Sequence, residues 1–367
     1  MSGKRPAVRL LVGTQKGLFR LHSDGDRAAW SMDGPHIEGY EVIHTATDPV
    51  RPDTVYAAVS HTVWGAHIYV SHDGGGSWAS LDAVPHYREP RRGHALKSVW
   101  YITHTPDGCR MYAGIDPAGL FFSDDRGANW HPVAGLNDHP TSATWEPSRG
   151  IFAIHSVHID PDRPDRMCAA VSAGGVYRSL DGGATWLPAN AGVRAENLPT
   201  RYPETGHNVH RVIMHPQRPA RLYRQCYNGT YRSDDFGASW IEVTDGLPSD
   251  FGYAIAADPG DADTVFQIPE SSSHLRAPVD GRLRVFCSRD AGTTWTSVSE
   301  GLPQAHVYVT VLREAMDTDR LDPCGIYFGT SGGHLFGCPG AGREWRLLAG
   351  FLPRILTVKA VSLAAST

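Results

Sequence analysis

The pattern Ser-x-Asp-x-Gly-x-(Ser/Thr/Asn)-Trp occurs five times in this chain. The copies are SHDGGGSW at 71–78, SDDRGANW at 123–130, SLDGGATW at 179–186, SDDFGASW at 233–240 and SRDAGTTW at 288–295. Their tryptophans, Trp78, Trp130, Trp186, Trp240 and Trp295, are spaced by 52, 56, 54 and 55 residues. One period upstream, 48 residues before Trp78, HSDGDRAAW keeps Ser23 and Trp30 but has Gly25 and Arg27 in the Asp and Gly slots. One period downstream, 50 residues after Trp295, CPGAGREW keeps Gly342 and Trp345. Seven units of about 50 residues, five sharp and two worn, define a repeat architecture in which each unit buries its apolar faces on its neighbours.

Each unit has the same internal order. A β-rich run closes on a proline: EVIHTATDP (41–49), SVWYITHTP (98–106), AIHSVHIDP (153–161), NVHRVIMHP (208–216) and FGYAIAADP (251–259). Proline ends a strand because it lacks the N–H that a ladder needs. A second run and a third follow, and the third leads into the octapeptide; a fourth begins at its Trp. Four short strands per unit predict an all-β fold, a single seven-bladed β-propeller over residues 1–367. The octapeptide is then the hairpin between third and fourth strands, with Gly supplying positive φ, Asp bonding backbone amides and Trp burying apolar surface. Its aspartates read as structural. The first unit opens on VRLLVGT, which matches the second strand of later units, so it lacks an inner strand. The β-prone RILTVKAV at 354–361 is predicted to supply it and close the fold, removing two exposed edges.

Composition excludes several function classes. With 34 Lys+Arg against 39 Asp+Glu and no basic block, nothing suggests nucleic-acid binding. No apolar run approaches the length of a membrane span, and the N-terminus lacks the apolar core of a secretion signal, so a cytoplasmic location is expected. The six cysteines show no C-x-x-C spacing and read as buried free thiols. The oligomeric state is not legible.

The octapeptide resembles the Asp-box (BNR) repeat of sialidases, xyloglucanases, sortilin-type receptors and photosystem II assembly-factor-like proteins. That resemblance covers almost the whole chain. It implies a propeller, but it serves hydrolases, receptors and scaffolds alike. Sialidase-like enzymes have six blades, an N-terminal Phe/Tyr-Arg-Ile-Pro motif and three carboxylate-binding arginines. Seven units are counted here and that tetrapeptide is absent, so a sialidase mechanism is not carried over.

Ligands of propellers sit at the mouth of the central channel. The long connections 82–97, 134–150 and 189–207 point to the mouth between blades 3 and 6. Aligned on the closing proline, Ile43, Trp100, His155, His210 and Tyr253 share one position, and Glu41, Ser98, Ala153, Asn208 and Phe251 lie two residues earlier. His155 and His210 are therefore expected at matched places on adjacent inner strands, facing one cavity. With Tyr253, Glu41 and Glu204 they form the candidate catalytic set; Glu146 is a further carboxylate. Trp100, Lys97, Arg149, Arg201 and Arg211 would meet an anionic or carbohydrate ligand. His155, His210 and His207 could hold a divalent ion such as Zn or Mn, and no cofactor is otherwise indicated. Two functions follow: a glycosyl-hydrolase-like or lyase-like enzyme for a sugar-like or carboxylate-bearing small molecule, or a non-catalytic binding and assembly module.

Overall fold

A computed structural model describes residues 6–89, 95–146, 151–196, 198–340 and 342–363. Seven four-stranded antiparallel sheets account for nearly all of its regular structure, and they are the blades of a seven-bladed β-propeller. Two compact units carry them, residues 1–42 with 243–367 and residues 43–242. The first unit holds blades 1, 6 and 7. The second holds blades 2 to 5, the inner strand of blade 2 beginning on the boundary. Among the described residues, helix is confined to the four-residue turn Ala134–Asn137 and the 3-10 turns Pro140–Thr144 and Val279–Gly281. Among the described residues no helix is long and apolar enough to cross a membrane.

The proline-closed runs are the inner strands Glu41–Thr47, Ser98–His104, Ile154–Ile159, Val209–Met214 and Phe251–Asp258. Second strands such as Met111–Asp116, Met167–Val171 and Leu222–Cys226 are buried along their whole length. Both of their faces are covered by protein, which explains runs of apolar residues where a half-exposed strand would alternate. In such a meander the first-to-second and third-to-fourth connections share one edge of the blade. The second-to-third connection and the entry to the first strand share the other. The octapeptides occupy the first edge, here the box edge; the long connections occupy the second, the entry edge.

Each sharp box is one repeated hydrogen-bond pattern. In blade 4, Ser179 Oγ donates to Asp181 Oδ1 at 2.8 Å and accepts from Gly183 N–H at 2.9 Å. Asp181 Oδ1 also accepts from Thr185 N–H at 2.9 Å, and Oδ2 from the Thr185 hydroxyl at 2.6 Å. Those bonds hold the exposed Asp181 carboxylate at a pKa of about 2. The two residues after the box aspartate, Gly182 and Gly183, have φ of 71° and 92°; the second, at the larger φ, is glycine in every sharp box.

The worn first box shows how the pattern can be lost. Arg27 fills the glycine slot and keeps the left-handed conformation at φ 55°. Its buried guanidinium donates from Nη1 to Asp319 Oδ2 at 2.9 Å and to the Pro323 carbonyl at 3.1 Å. Asp319 also accepts from Tyr327 Oη at 2.7 Å and from the amides of Leu321 and Gly325, both at 2.9 Å. A buried ion pair, its carboxylate fully bonded, occupies the place that the glycine turn has in the sharp boxes.

Blade 1 closes as expected. Ile355–Ser362 pairs antiparallel with Val8–Thr14 in the register Val8↔Ser362 to Thr14↔Ile355. It is also tied to blade 7: Lys359 Nζ lies 3.0 Å from Asp317 Oδ2, and Val358 N–H donates to the Glu314 carbonyl at 2.8 Å.

Two outcomes follow. Arg27→Ala strands the Asp319 carboxylate in the interior and should cost about 3–5 kcal/mol in denaturant unfolding, the usual penalty for breaking a buried pair from one side. Asp181→Ala, on an exposed hairpin, should lower the melting temperature by only a few degrees and leave ligand affinity unchanged. A calorimetric melt with a binding titration checks both.

Candidate functional site

The inner strands are not simple ladders. In blade 3 the register runs from Val99↔Ile115 to Tyr101↔Gly114, so Trp100 is bulged out; in blade 5, Val209↔Cys226 and Arg211↔Gln225 bracket His210 in the same way. In blade 4 the bulge lies one residue later, between His155 and His158. A bulge re-aims the side chains it contains. The positional match between His155 and His210, inferred by aligning the strands on proline, therefore fails at the decisive residue.

His155 is fully buried and is built into the seam between blades 4 and 5. Its Nε2 lies 3.2 Å from the Val209 carbonyl and its Nδ1 3.0 Å from Ser156 Oγ. A carbonyl partner requires the proton on Nε2, which leaves Nδ1 to accept from the serine hydroxyl in the neutral ring. Ser156 Oγ in turn accepts from Val212 N–H at 3.1 Å. His158 repeats the contact, its Nε2 2.8 Å from the Val212 carbonyl. One residue after the bulge-aligned position, His44 Nδ1 of blade 2 accepts from Ile102 N–H of blade 3 at 3.3 Å, the counterpart of the Ser156–Val212 bond. These polar residues on inner strands bridge adjacent blades.

His210 is buried beside Tyr227, ring centroids 6.5 Å apart. His207 bonds the Pro203 carbonyl through Nε2 at 2.8 Å, and burial, with the nearby Arg224 charge, lowers its pKa to about 4. Among the described residues no three His, Cys, Asp or Glu side chains gather as a metal-binding group. The predicted His155, His210 and His207 ligand set is thus not assembled, because His155 and His207 spend ring nitrogens on backbone carbonyls.

The other predicted residues are dispersed. Glu204 is exposed and its backbone carbonyl, not its carboxylate, is held, by Asn190 Nδ2 at 2.8 Å. Arg201 stacks over the exposed Tyr202 ring at 5.6 Å, and Arg211 is half-buried. Lys97 is exposed, 3.7 Å from Asp116 Oδ2; Glu146 is exposed next to Trp145. Trp145 is fully buried and donates from Nε1 to Tyr177 Oη at 2.8 Å, so this part of the connection 134–150 packs on the blade. Arg149 lies outside the described residues. In the first unit, Glu41 Oε1 is 3.4 Å from Gln15 Nε2, and Tyr253 is buried under the Arg313 guanidinium, 5.4 Å from its ring centroid.

Tyr253 leads to a group that the sequence reading missed. Glu270 ends the second strand of blade 6, paired with Phe251 at the start of the inner strand. It is 1% exposed, Oε1 accepts from Val311 N–H at 3.2 Å, and Oε2 has no hydrogen-bond partner. Burial pushes its carboxyl up to about 8, against the weaker pull of Arg276. Arg313 and the buried Glu314 follow Val311 on the connection 299–315. That connection is laced to 271–285: Thr310 Oγ1 donates to the Arg276 carbonyl at 2.6 Å, and Val307 N–H to that of Gly281 at 3.0 Å. The signal was present in the sequence, since 271–285 is far longer than the corresponding turns 62–64, 117–118 and 172–174.

The entry edges also carry the most exposed aromatic rings. In the first unit Tyr308 is 68% and Phe351 99% exposed; in the second, Trp64 is 68% and Tyr202 61% exposed. Phe351 holds φ 61°, a left-handed conformation unfavourable for a bulky residue, and its ring lies 6.2 Å from that of His334.

No family model matches the chain. It is 28% identical over 218 residues to a xyloglucanase of Paenibacillus sp., covering 51% of this chain and 20% of that protein. It is 27% identical over 270 residues to a xyloglucanase of Acetivibrio thermocellus, covering 64% of this chain and 30% of that one. The chain thus spans less than a third of these curated relatives. Among solved structures, an ancestral GH74 enzyme superposes with a TM-score of 0.54 at 16% identity, over 89% of this chain and 39% of that one. YCF48 from Cyanidioschyzon merolae superposes at 0.52 and 15% identity, over 92% and 94%. These superpositions establish a shared propeller fold.

His155→Phe puts a slightly larger apolar ring in the seam and leaves the Val209 carbonyl without the imidazole donor. It should cost about 1–3 kcal/mol, seen as a lower denaturation midpoint. A mutant as stable as the parent would remove His155 from the inter-blade seam.

Proposed function

We propose that the chain is a carbohydrate-directed propeller of the glycoside-hydrolase kind, taking a glucan or a related oligosaccharide on the entry edges of its blades. The observation that carries this reading is the sequence similarity to two xyloglucanases over half or more of the chain. The exposed rings of Tyr308 and Phe351 support it. An exposed Phe in a strained backbone position gains nothing for folding, whereas a flat aromatic face suits the C–H face of a pyranose. Hydrolysis is favoured over elimination because elimination needs a free base beside the sugar. His155, the first candidate, has both ring nitrogens in hydrogen bonds.

The test is reducing-end release from xyloglucan and from unbranched β-glucan, with binding measured by calorimetry. Turnover is expected. Phe351→Ala and Tyr308→Ala should each weaken binding roughly three- to tenfold, the scale of one aromatic contact, without altering the melting temperature. Binding without turnover would identify a binding module; absence of both would overturn the reading.

A further inference from the structure

Glu270 is a buried carboxyl on a fixed backbone. The sheet pairs it with Phe251, and an isolated bridge joins it to Pro278. Its Oε1 accepts from Val311 N–H at 3.2 Å, and its Oε2 has no partner. That one bond runs from blade 6 to the connection 299–315, which forms neither strand nor helix over 307–312. Few further bonds close this connection on 271–285. Leu283 N–H donates to the Pro303 carbonyl at 3.1 Å and Gln304 Nε2 to that of Leu283 at 2.9 Å. The Val307 and Thr310 contacts described above complete the seam. The charged and titratable groups gathered around Glu270 are Arg276 on 271–285, Arg313 and Glu314 on 299–315, and Tyr253 on the inner strand. Of these the Arg276 charge pulls on its ionisation, but that side chain is exposed and donates from Nε to the Ser273 carbonyl at 3.2 Å.

A neutral carboxyl suits this place and an ionised one does not. Once ionised, Oε2 is a buried charge with neither donor nor cation on it, and it must draw water to itself. Water reaches it when 299–315 parts from 271–285. Opening an irregular stretch held by a handful of bonds costs less than unfolding the blade. We propose that Glu270 is a proton-operated clasp: protonated, it holds Val311 and keeps 299–315 closed on 271–285; ionised, it lets that connection swing out and takes Tyr308 off the ligand edge. The effect on ligand rests on the carbohydrate reading above. One proton leaves to solvent on opening and returns on closing. Burial keeps it in place near neutrality.

The test uses the full chain and Glu270→Gln, which keeps an oxygen for the Val311 amide and carries no charge at any pH. The first readout, hydrogen–deuterium exchange of 299–315 across pH, needs no ligand. A carboxyl whose closed-state pKa, about 8, exceeds its open value favours the closed form fully below the open value, and that contribution is lost as pH rises to about 8. Relative to the variant, protection of 299–315 in the wild type should fall by up to roughly tenfold per pH unit and level off above about pH 8. Parallel protection in the two proteins would overturn the clasp. So would an equal fall in the paired strands Val8–Thr14 and Ile355–Ser362, because the whole unit would then be loosening. Should Glu270→Gln not fold, the wild type's exchange in 299–315 against that of the same two strands reads the same slope. The second readout is calorimetric binding of a xyloglucan oligosaccharide over the same pH range. Wild-type affinity should fall roughly three- to tenfold, the scale of one aromatic contact, while that of the variant holds. Steady wild-type affinity beside a loosened 299–315 would overturn the removal of Tyr308. The expected exchange pattern with no binding at any pH would keep the clasp and sink the carbohydrate reading instead.

Discussion

Everything in the first unit depends on the pairing of the two ends of the chain. Val8–Thr14 is buried at every position and apolar but for Arg9 and Thr14, and Gly17–Ser23 pairs with only one side of its backbone. Only Ile355–Ser362 satisfies the other side. An unpaired strand of this length and apolarity is a template for association with another chain. The closing strand removes that hazard, and its bonds to Asp317 and Glu314 fasten blade 1 to blade 7 in the same stroke.

The two edges of each blade divide the labour. The box edge is made of local contacts: a serine, an aspartate and backbone amides within eight residues, repeated with hydrogen-bond lengths that barely vary from blade to blade. The entry edge is made of contacts between more distant segments and varies more: Asn137 and Asn190 bracket the third strands of blades 3 and 4 alike, but the connections around them differ in length. Local, self-contained turns can be copied without regard to neighbours. The free connections can then vary, and it is on them that Arg313 and the exposed rings are found.

That division explains what could be read in advance. The repeats, the inner strands and the closing strand were legible because Trp, Gly and Pro mark them at fixed offsets. The roles of His155 and His210 were not. They depend on whether a bulge falls before or after one residue, and nothing in NVHRV or IHSVH records that. Arg27 was legible as a defect in the first box but not as half of an ion pair, since its partner Asp319 lies 292 residues away. Glu270 was overlooked because only the connections between blades were compared; the long insertion within blade 6 carried the information.

The separation between Arg27 and Asp319 has a further consequence, in time. A ribosome adds roughly 5–20 residues per second, so on the order of tens of seconds pass between the emergence of the first box and that of its counter-charge. During that interval the second strand of blade 1 has no inner neighbour, and a guanidinium destined for the interior has no carboxylate to meet. Blades 2 to 5, whose boxes close on themselves, can assemble as they appear. Val8–Thr14 is therefore finished long after it is made, and the nascent chain must keep VRLLVGT from other partners until Ile355–Ser362 arrives.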